Sequence, residues 1–237
     1  MTAIGENGLL KQLRPDDLAT LHPNLKPFSM ACGMVLHQAM RAIDHVYFPL
    51  SGMISILAVM RTGEQIETGI VGREGVIGAS IGSFGPNAYG QATVQIPGSA
   101  LRIHRDSFLK AFNGSESFRR SMNGFQAVIL FQAQQSAACH ALHSVEQRFC
   151  RWLLQSQDVV ESDTIPLTHE FLSRMLGVQR TGITLRAREL QKRGLIDYTR
   201  ANIRILDRAA VAKAACECYE DIHAAVNRQG SRRGAWS

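Results

Sequence analysis

Five cysteines, scattered at Cys32, Cys139, Cys150, Cys216 and Cys218, are odd in number and form no disulfide framework, so a reducing compartment is expected. No apolar run approaches the roughly 20 residues that span a bilayer. The amino terminus has no basic stretch leading into an apolar one, which argues against a secretory signal. A cytoplasmic protein without a membrane anchor is the expectation. Enzyme signatures are also missing. The glycine-rich stretch from Gly72 to Gly85 lacks the Lys-Ser/Thr of a P-loop. His169-Glu170 opens like a zinc-protease pair, but Ser173 stands where its second histidine belongs. No Ser-His-Asp or Cys-His arrangement follows from spacing, so the chain is not expected to be an enzyme.

Positive charge is present, and it is concentrated. The 237 residues carry a net charge of +6. Residues 168–208 alone hold nine Lys/Arg against four Asp/Glu. Such a local surplus suits a polyanion that sheds counterions on binding. The same stretch reads as helix, turn, helix and β wing. Thr168 is an N-cap candidate, with Glu170 in the first turn. Phe171, Leu172, Met175 and Leu176 form an apolar stripe, and Gly177 ends the helix. On the second helix Ile183, Ala187 and Leu190 share one direction and should face a core. Thr181, Thr184, Leu185, Arg188 and Lys192 point away, with Arg180 at the edge of that outer face. Gly194 stops the helix, Leu195-Ile196 starts the wing, and Arg200-Ala201-Asn202 is its expected turn. This is the layout of a DNA reader whose second helix lies in the major groove.

An α+β chain is expected: a helical lead-in over 1–24, a β-roll over 25–112, a long helix over 113–143, a winged helix-turn-helix over 144–215 and a helix end with tail over 216–237. Short runs such as "HVYFPLSG" and "ATVQIPG", separated by glycines, carry the β reading. In the long helix Phe118, Met122, Phe125 and Ile129 are followed by Gln132, Ser136, Cys139 and His143 at heptad-like spacing, which suggests a two-stranded dimer seam. The alternative is a helix packed on its own β domain. "DRAAVAKAACECYEDIHAAV" reads as one further helix, and "NRQGSRRGAWS" as a disordered tail.

Together these segments resemble the Crp/Fnr family of bacterial transcription regulators over about residues 10–215. "VYFPLSGMISIL" looks like the hairpin of a cyclic-nucleotide-binding β-roll (a double-stranded β-helix, or jelly roll), and "GSALRIHRDSFLKAF" like its last strand and following helix. "LTHEFLSRMLGVQRTGITLRARELQKRGLI" is similar to the family's helix-turn-helix signature. The resemblance implies a homodimer reading palindromic double-stranded DNA, with RNA polymerase and a small effector of unidentified class as further partners. It places base-edge contacts at Gln179, Arg180, Thr181 and Leu185. Arg188 and Lys192, with Arg186 beside them, are assigned to phosphates, and Thr184 shares the face. The acidic residue common after the arginine is here Thr181, the later arginine is Leu185 and the usual hydroxyl residue is Gly182, so a different operator is expected.

The nucleotide cassette does not carry over. Ala79 stands where the ribose-binding Glu belongs, and Gly90 and Gln91 where the phosphate-binding Arg and hydroxyl residue belong. A buried phosphate would lose its bidentate partner. Arg73, Glu74, Gly75, Gly78 and Gln91 are the remaining effector-site candidates, and no cofactor is identified. Four cluster-binding thiolates are not available near the amino terminus. A haem would have only His37, His45 or His104 as axial ligand. Cys139, His140 and His143 do not make a four-ligand metal set, so no metal site is expected. The competing reading is a small-ligand-binding module whose helix-turn-helix does not bind DNA.

Overall fold

The computed structural model describes residues 3–167, 169–199 and 202–230. Two short helices, α1 (Gly8–Gln12) and α2 (Pro15–Leu21), lead in. Asn7 fixes them to the body. Its side chain accepts from the Leu9 and Leu10 amides at 3.1 and 3.0 Å and donates to the Pro49 and Gly75 carbonyls at 2.8 and 2.9 Å. All of its hydrogen-bonding capacity is thus used inside the fold.

Seven strands follow: β1 (Lys26–Met30), β2 (Val35–His37), β3 (His45–Pro49), β4 (Met53–Val59), β5 (Gln65–Val71), β6 (Gln91–Ile96) and β7 (Gly98–His104). They pair antiparallel in two sheets, ordered β1-β7-β3 and β2-β6-β4-β5. In β6 burial alternates residue by residue, as a sheet with one core-facing side requires. Gly52 turns β3 into β4 at φ +82°, where a Cβ would fall 2.6 Å from the Ile96 carbonyl oxygen. The β-roll expected from the short glycine-punctuated runs is present.

After α3 (Arg105–Gly114), the helix α4 (Glu116–Leu142) packs on the β domain against β5. Its buried stripe comprises Phe118, Met122, Phe125, Val128, Gln132, Ser136 and Cys139. Gly75 lies so close to Phe125 that a Cβ would sit 2.1 Å from the ring, and Gln132 accepts from the Ile70 amide at 3.0 Å. The heptad read as a dimer seam is therefore filled by the chain itself, by the β domain along its first half and by the segment leading into the final helix (Cys218–Gly230) at its end. A helix packed on a sheet and a helix packed on another helix bury the same 3–4 spacing. The exposed face of α4 lies a step around the helix, at Asn123, Ala127, Leu130, Gln134, Ala137 and Ala141.

α4 ends at Leu142 and α5 (Val145–Val160) begins with a capping box, Ser144 to Gln147. Next come β8 (Thr164–Pro166), α6 (His169–Leu176), α7 (Arg180–Lys192), β9 (Ile196–Tyr198), β10 (Asn202–Ile205), α8 (Arg208–Ala214) and α9 (Cys218–Gly230). The last segment corrects the expected single helix, because the chain runs out of helix at Ala215 and restarts at Cys218. Asn227 to Gly230, expected in a disordered tail, close α9, which packs against α4. The rest of that tail lies outside the described residues, as do Thr168, Arg200 and Ala201. A second core gathers Phe149, Trp152, Leu153, Leu172, Leu176, Ile183, Leu190 and Ile203, and also takes in Met53, Ile70 and Ile96 from the β domain.

Candidate nucleic-acid interface

The second core is what orients α7. Ile183, Ala187 and Leu190 are each 0 % exposed, so the side of the helix read from its periodicity as core-facing is fixed inward. Gly177 joins α6 to α7 at φ +61°, and Gly194 ends α7 at φ +74°. Both are left-handed positions that disfavour a side chain. Gln179 is the N-cap residue of α7 and is exposed. Thr181, Leu185, Arg188 and Lys192 are exposed along the outer face, and Thr184 is half-buried beside them. Arg180 opens the helix. A Cβ on Gly182 would meet nothing within 4 Å, so the missing hydroxyl residue reflects no steric bar.

The outer face carries cations set apart from acids. Among the described residues Arg188 and Lys192 form no ion pair, whereas Arg186 is held by Glu189 at 2.6 Å and Arg193 by Glu146 at 2.5 Å. Arg186, grouped with the phosphate-contacting residues from the sequence, is thus engaged within its own helix. The wing is three-stranded, ordered β8-β10-β9. Sequence reading missed β8, whose three residues carry no alternation long enough to mark a strand. The Thr199 amide donates to the Asn202 carbonyl at 2.9 Å and links the end of β9 to the start of β10.

The reading head rests on the β domain. α6 packs over β5. The Trp152 indole donates to Glu67 Oε1 at 2.9 Å, and Ser55 Oγ donates to Glu67 Oε2. Burial pushes the Glu67 carboxyl up to about 7. Arg148, 8 % exposed, joins α5 to its surroundings by donating to the Leu176 carbonyl at 3.0 Å and to His140 Nδ1 at 2.6 Å. Burial, then the charge of Arg148, lowers His140 to about 4, which keeps it an acceptor.

The effector-site candidates separate. A cavity of about 810 Å³ opens between the sheets and α4, with Ile56, Thr68, Ile77, Ser80, Ala127 and Leu130 on its walls. Of the five candidates only Gly78 reaches it. Arg73 pairs with Glu161, Glu74 accepts from the Gly72 amide at 2.8 Å, Gly75 is closed off by Phe125, and Gln91 donates to Thr93 Oγ1 at 3.1 Å. His37 also lines the cavity, with Nε2 bonded to the His45 carbonyl at 2.8 Å. His45 and His104 form an edge-on pair, 5.4 Å apart. The incomplete metal triplet is corrected as well. Cys139 and His143 meet Cys216 and Cys218, while His140 turns to Arg148.

Comparison with known proteins agrees with this layout. Residues 147–214 match the Crp-like helix-turn-helix domain family. A Crp/Fnr-family transcriptional regulator from Eubacterium rectale superposes with a TM-score of 0.71 at 17% identity, covering 89% of this chain and 98% of its own. FixK2 from Bradyrhizobium japonicum gives 0.69 at 16% identity, covering 81% and 98%. The c-di-GMP-responsive global regulator CLP from Xanthomonas campestris gives 0.67 at 14% identity, covering 82% and 100%. Curated protein sequences give no match. The reading head thus belongs to the Crp-like helix-turn-helix family, and the chain as a whole has the Crp/Fnr fold. No helix among the described residues is long and apolar enough to cross a membrane.

Proposed function

We propose that the protein is a homodimeric transcription regulator that reads a palindromic DNA site. The observation that carries this reading is α7: an inner face at zero exposure holds it rigidly while Thr181, Leu185, Arg188 and Lys192 stand outward. Gln179 and Arg180, at its amino-terminal end, read base edges together with Thr181 and Leu185. Arg180 suits a guanine O6/N7 edge, and Leu185, 53 % exposed, suits a thymine methyl group. Arg188 and Lys192 touch phosphates and set affinity rather than sequence.

The dimer forms along the outer stripe of α4, from Ala127 and Leu130 through Gln134 to Ala137 and Ala141. Small residues there let two helices approach closely. Two heads then enter successive major grooves about 34 Å apart. The effector site is the β-domain cavity, and its walls carry no Arg, Lys, Asp or Glu. An uncharged, largely apolar ligand fits it better than a cyclic nucleotide, whose phosphate would lack a cationic partner.

Selection of bound duplexes from a random pool, with ligand-free protein at near-physiological salt, tests the reading. Recovery of a defined palindrome supports a dimeric sequence reader. Recovery of unselected DNA at every salt concentration, with no steep salt dependence, would favour the alternative, a ligand-binding module whose head does not bind DNA.

A further inference from the structure

Two pairs of side chains, far apart in the chain, converge at the end of α4. Cys139 and His143 lie one turn apart at the end of α4 and share a face. Cys216 and Cys218 come from the break between α8 and α9. The four ligand atoms all lie within 4.8 Å of one another. Cys139 Sγ is 3.5 Å from Cys216 Sγ, and Cys218 Sγ is 3.7 Å from His143 Nδ1. Zinc bonds of about 2.3 Å to sulfur and about 2.0 Å to nitrogen define a tetrahedron with edges of about 3.8 Å between sulfurs and about 3.5 Å from sulfur to nitrogen. Both measured edges are close to those values.

The surroundings complete the pattern. The three cysteines are 0, 4 and 2 % exposed and form a buried cluster of their own. The other ring nitrogen of His143, Nε2, is 3.2 Å from Glu217 Oε1. A carboxylate in that position fixes the tautomer and aims Nδ1 at the sulfurs. Three thiolates and one imidazole around a divalent ion carry a net charge of −1. Arg148 and Arg151 are buried close enough for their charges to act on Cys139. Among the described residues the Nε of each has no hydrogen-bond partner. Ligands on separate irons of a cluster stand farther apart than ligands sharing one ion, so the geometry suits a single tetrahedral centre.

We propose that Cys139, His143, Cys216 and Cys218 bind one Zn²⁺ ion as a closed structural site that clamps α9 to the end of α4. Three S–H bonds break and release three protons to solvent, three Zn–S bonds and one Zn–N bond form, and no electron moves. The clamp sits beside the His143-Ser144 joint and holds the angle at which the reading head leaves α4.

The test is metal analysis of the full chain purified without chelators, followed by replacement of the metal with Co²⁺. One zinc per chain is expected, with intense tetrahedral visible bands and thiolate-to-cobalt charge transfer after replacement. Cys218→Ser should lose the zinc, while Cys150→Ser keeps it. Glu217→Ala, at an exposed side chain, should weaken zinc binding about 10–100-fold and keep one equivalent at saturation. If Cys218→Ser does not fold, the cobalt spectrum of the unaltered chain decides. Less than half an equivalent of zinc after zinc addition, a weak octahedral cobalt spectrum, or a Cys139–Cys216 disulfide in freshly alkylated protein would each overturn the proposal.

Discussion

The long helix and the reading helix have similar inner faces and opposite outer ones. Along α4, Phe118, Met122 and Phe125 are fully buried, and along α7 so are Ile183, Ala187 and Leu190. Each helix is therefore anchored by its own domain, and only its outer chemistry differs. Ala127, Leu130, Ala137 and Ala141 on α4 are small or apolar and uncharged, which suits another copy of the same helix. Thr181, Arg188 and Lys192 on α7 suit a polyanion. The fold leaves both faces uncovered, and their side chains differ in the kind of partner each would suit.

Substitutions can separate inner from outer roles. The largest effect is expected at the inner face of α4, where Phe125→Ala should cost about 3–5 kcal/mol of stability in denaturant unfolding. A loss near zero would mean that the β domain does not depend on that stripe. Leu130→Asp, on the outer face, should leave the fold intact but give monomers in ultracentrifugation. Operator affinity should then fall about 100-fold or more through lost bivalency. A dimer that persists would move the interface elsewhere.

On α7, Arg180→Ala should cost about 1–3 kcal/mol at one base position and relax the preference there. Arg188→Ala should weaken all duplexes alike and reduce the salt slope by about 1. Identical effects from the two substitutions would contradict their separate roles. The mildest change is expected at Glu67→Gln. Burial raises the Glu67 pKa to about 7, so the folded chain holds a proton that the unfolded chain releases at lower pH. Stability from this group is present in acid and lost as pH rises toward and through 7. A glutamine can still accept from Trp152 and should flatten that decline; an unchanged pH profile of melting would show that Glu67 titrates normally.

How much of this was legible in the sequence varied with the physics. The core side of α7 could be read because three apolar residues at one angle admit a single inward direction. The β-roll could be read from glycines and short runs. The same periodicity failed on α4, because spacing records that a face is buried and not by what. Arg73 and Glu74 could not be placed because a glycine-rich loop fixes no register with the strands beside it. The thiol cluster was hidden differently. Cys139 and Cys216 meet only because α9 folds back on α4, and a break of three residues after α8 makes that return. Two sequence cues existed: the Cys139/His143 spacing of one helical turn and the alternation of Cys216 with Cys218.

Gln132 has a consequence for solubility. β5 is one of the two edge strands of its sheet, and an uncovered edge strand offers its amides to any passing chain. Gln132 occupies the Ile70 amide and α6 lies over the same strand, so the molecule's own helices block edge-to-edge pairing. Only a movement that lifted α6 and unseated α4 together would leave that strand open to edge-to-edge pairing.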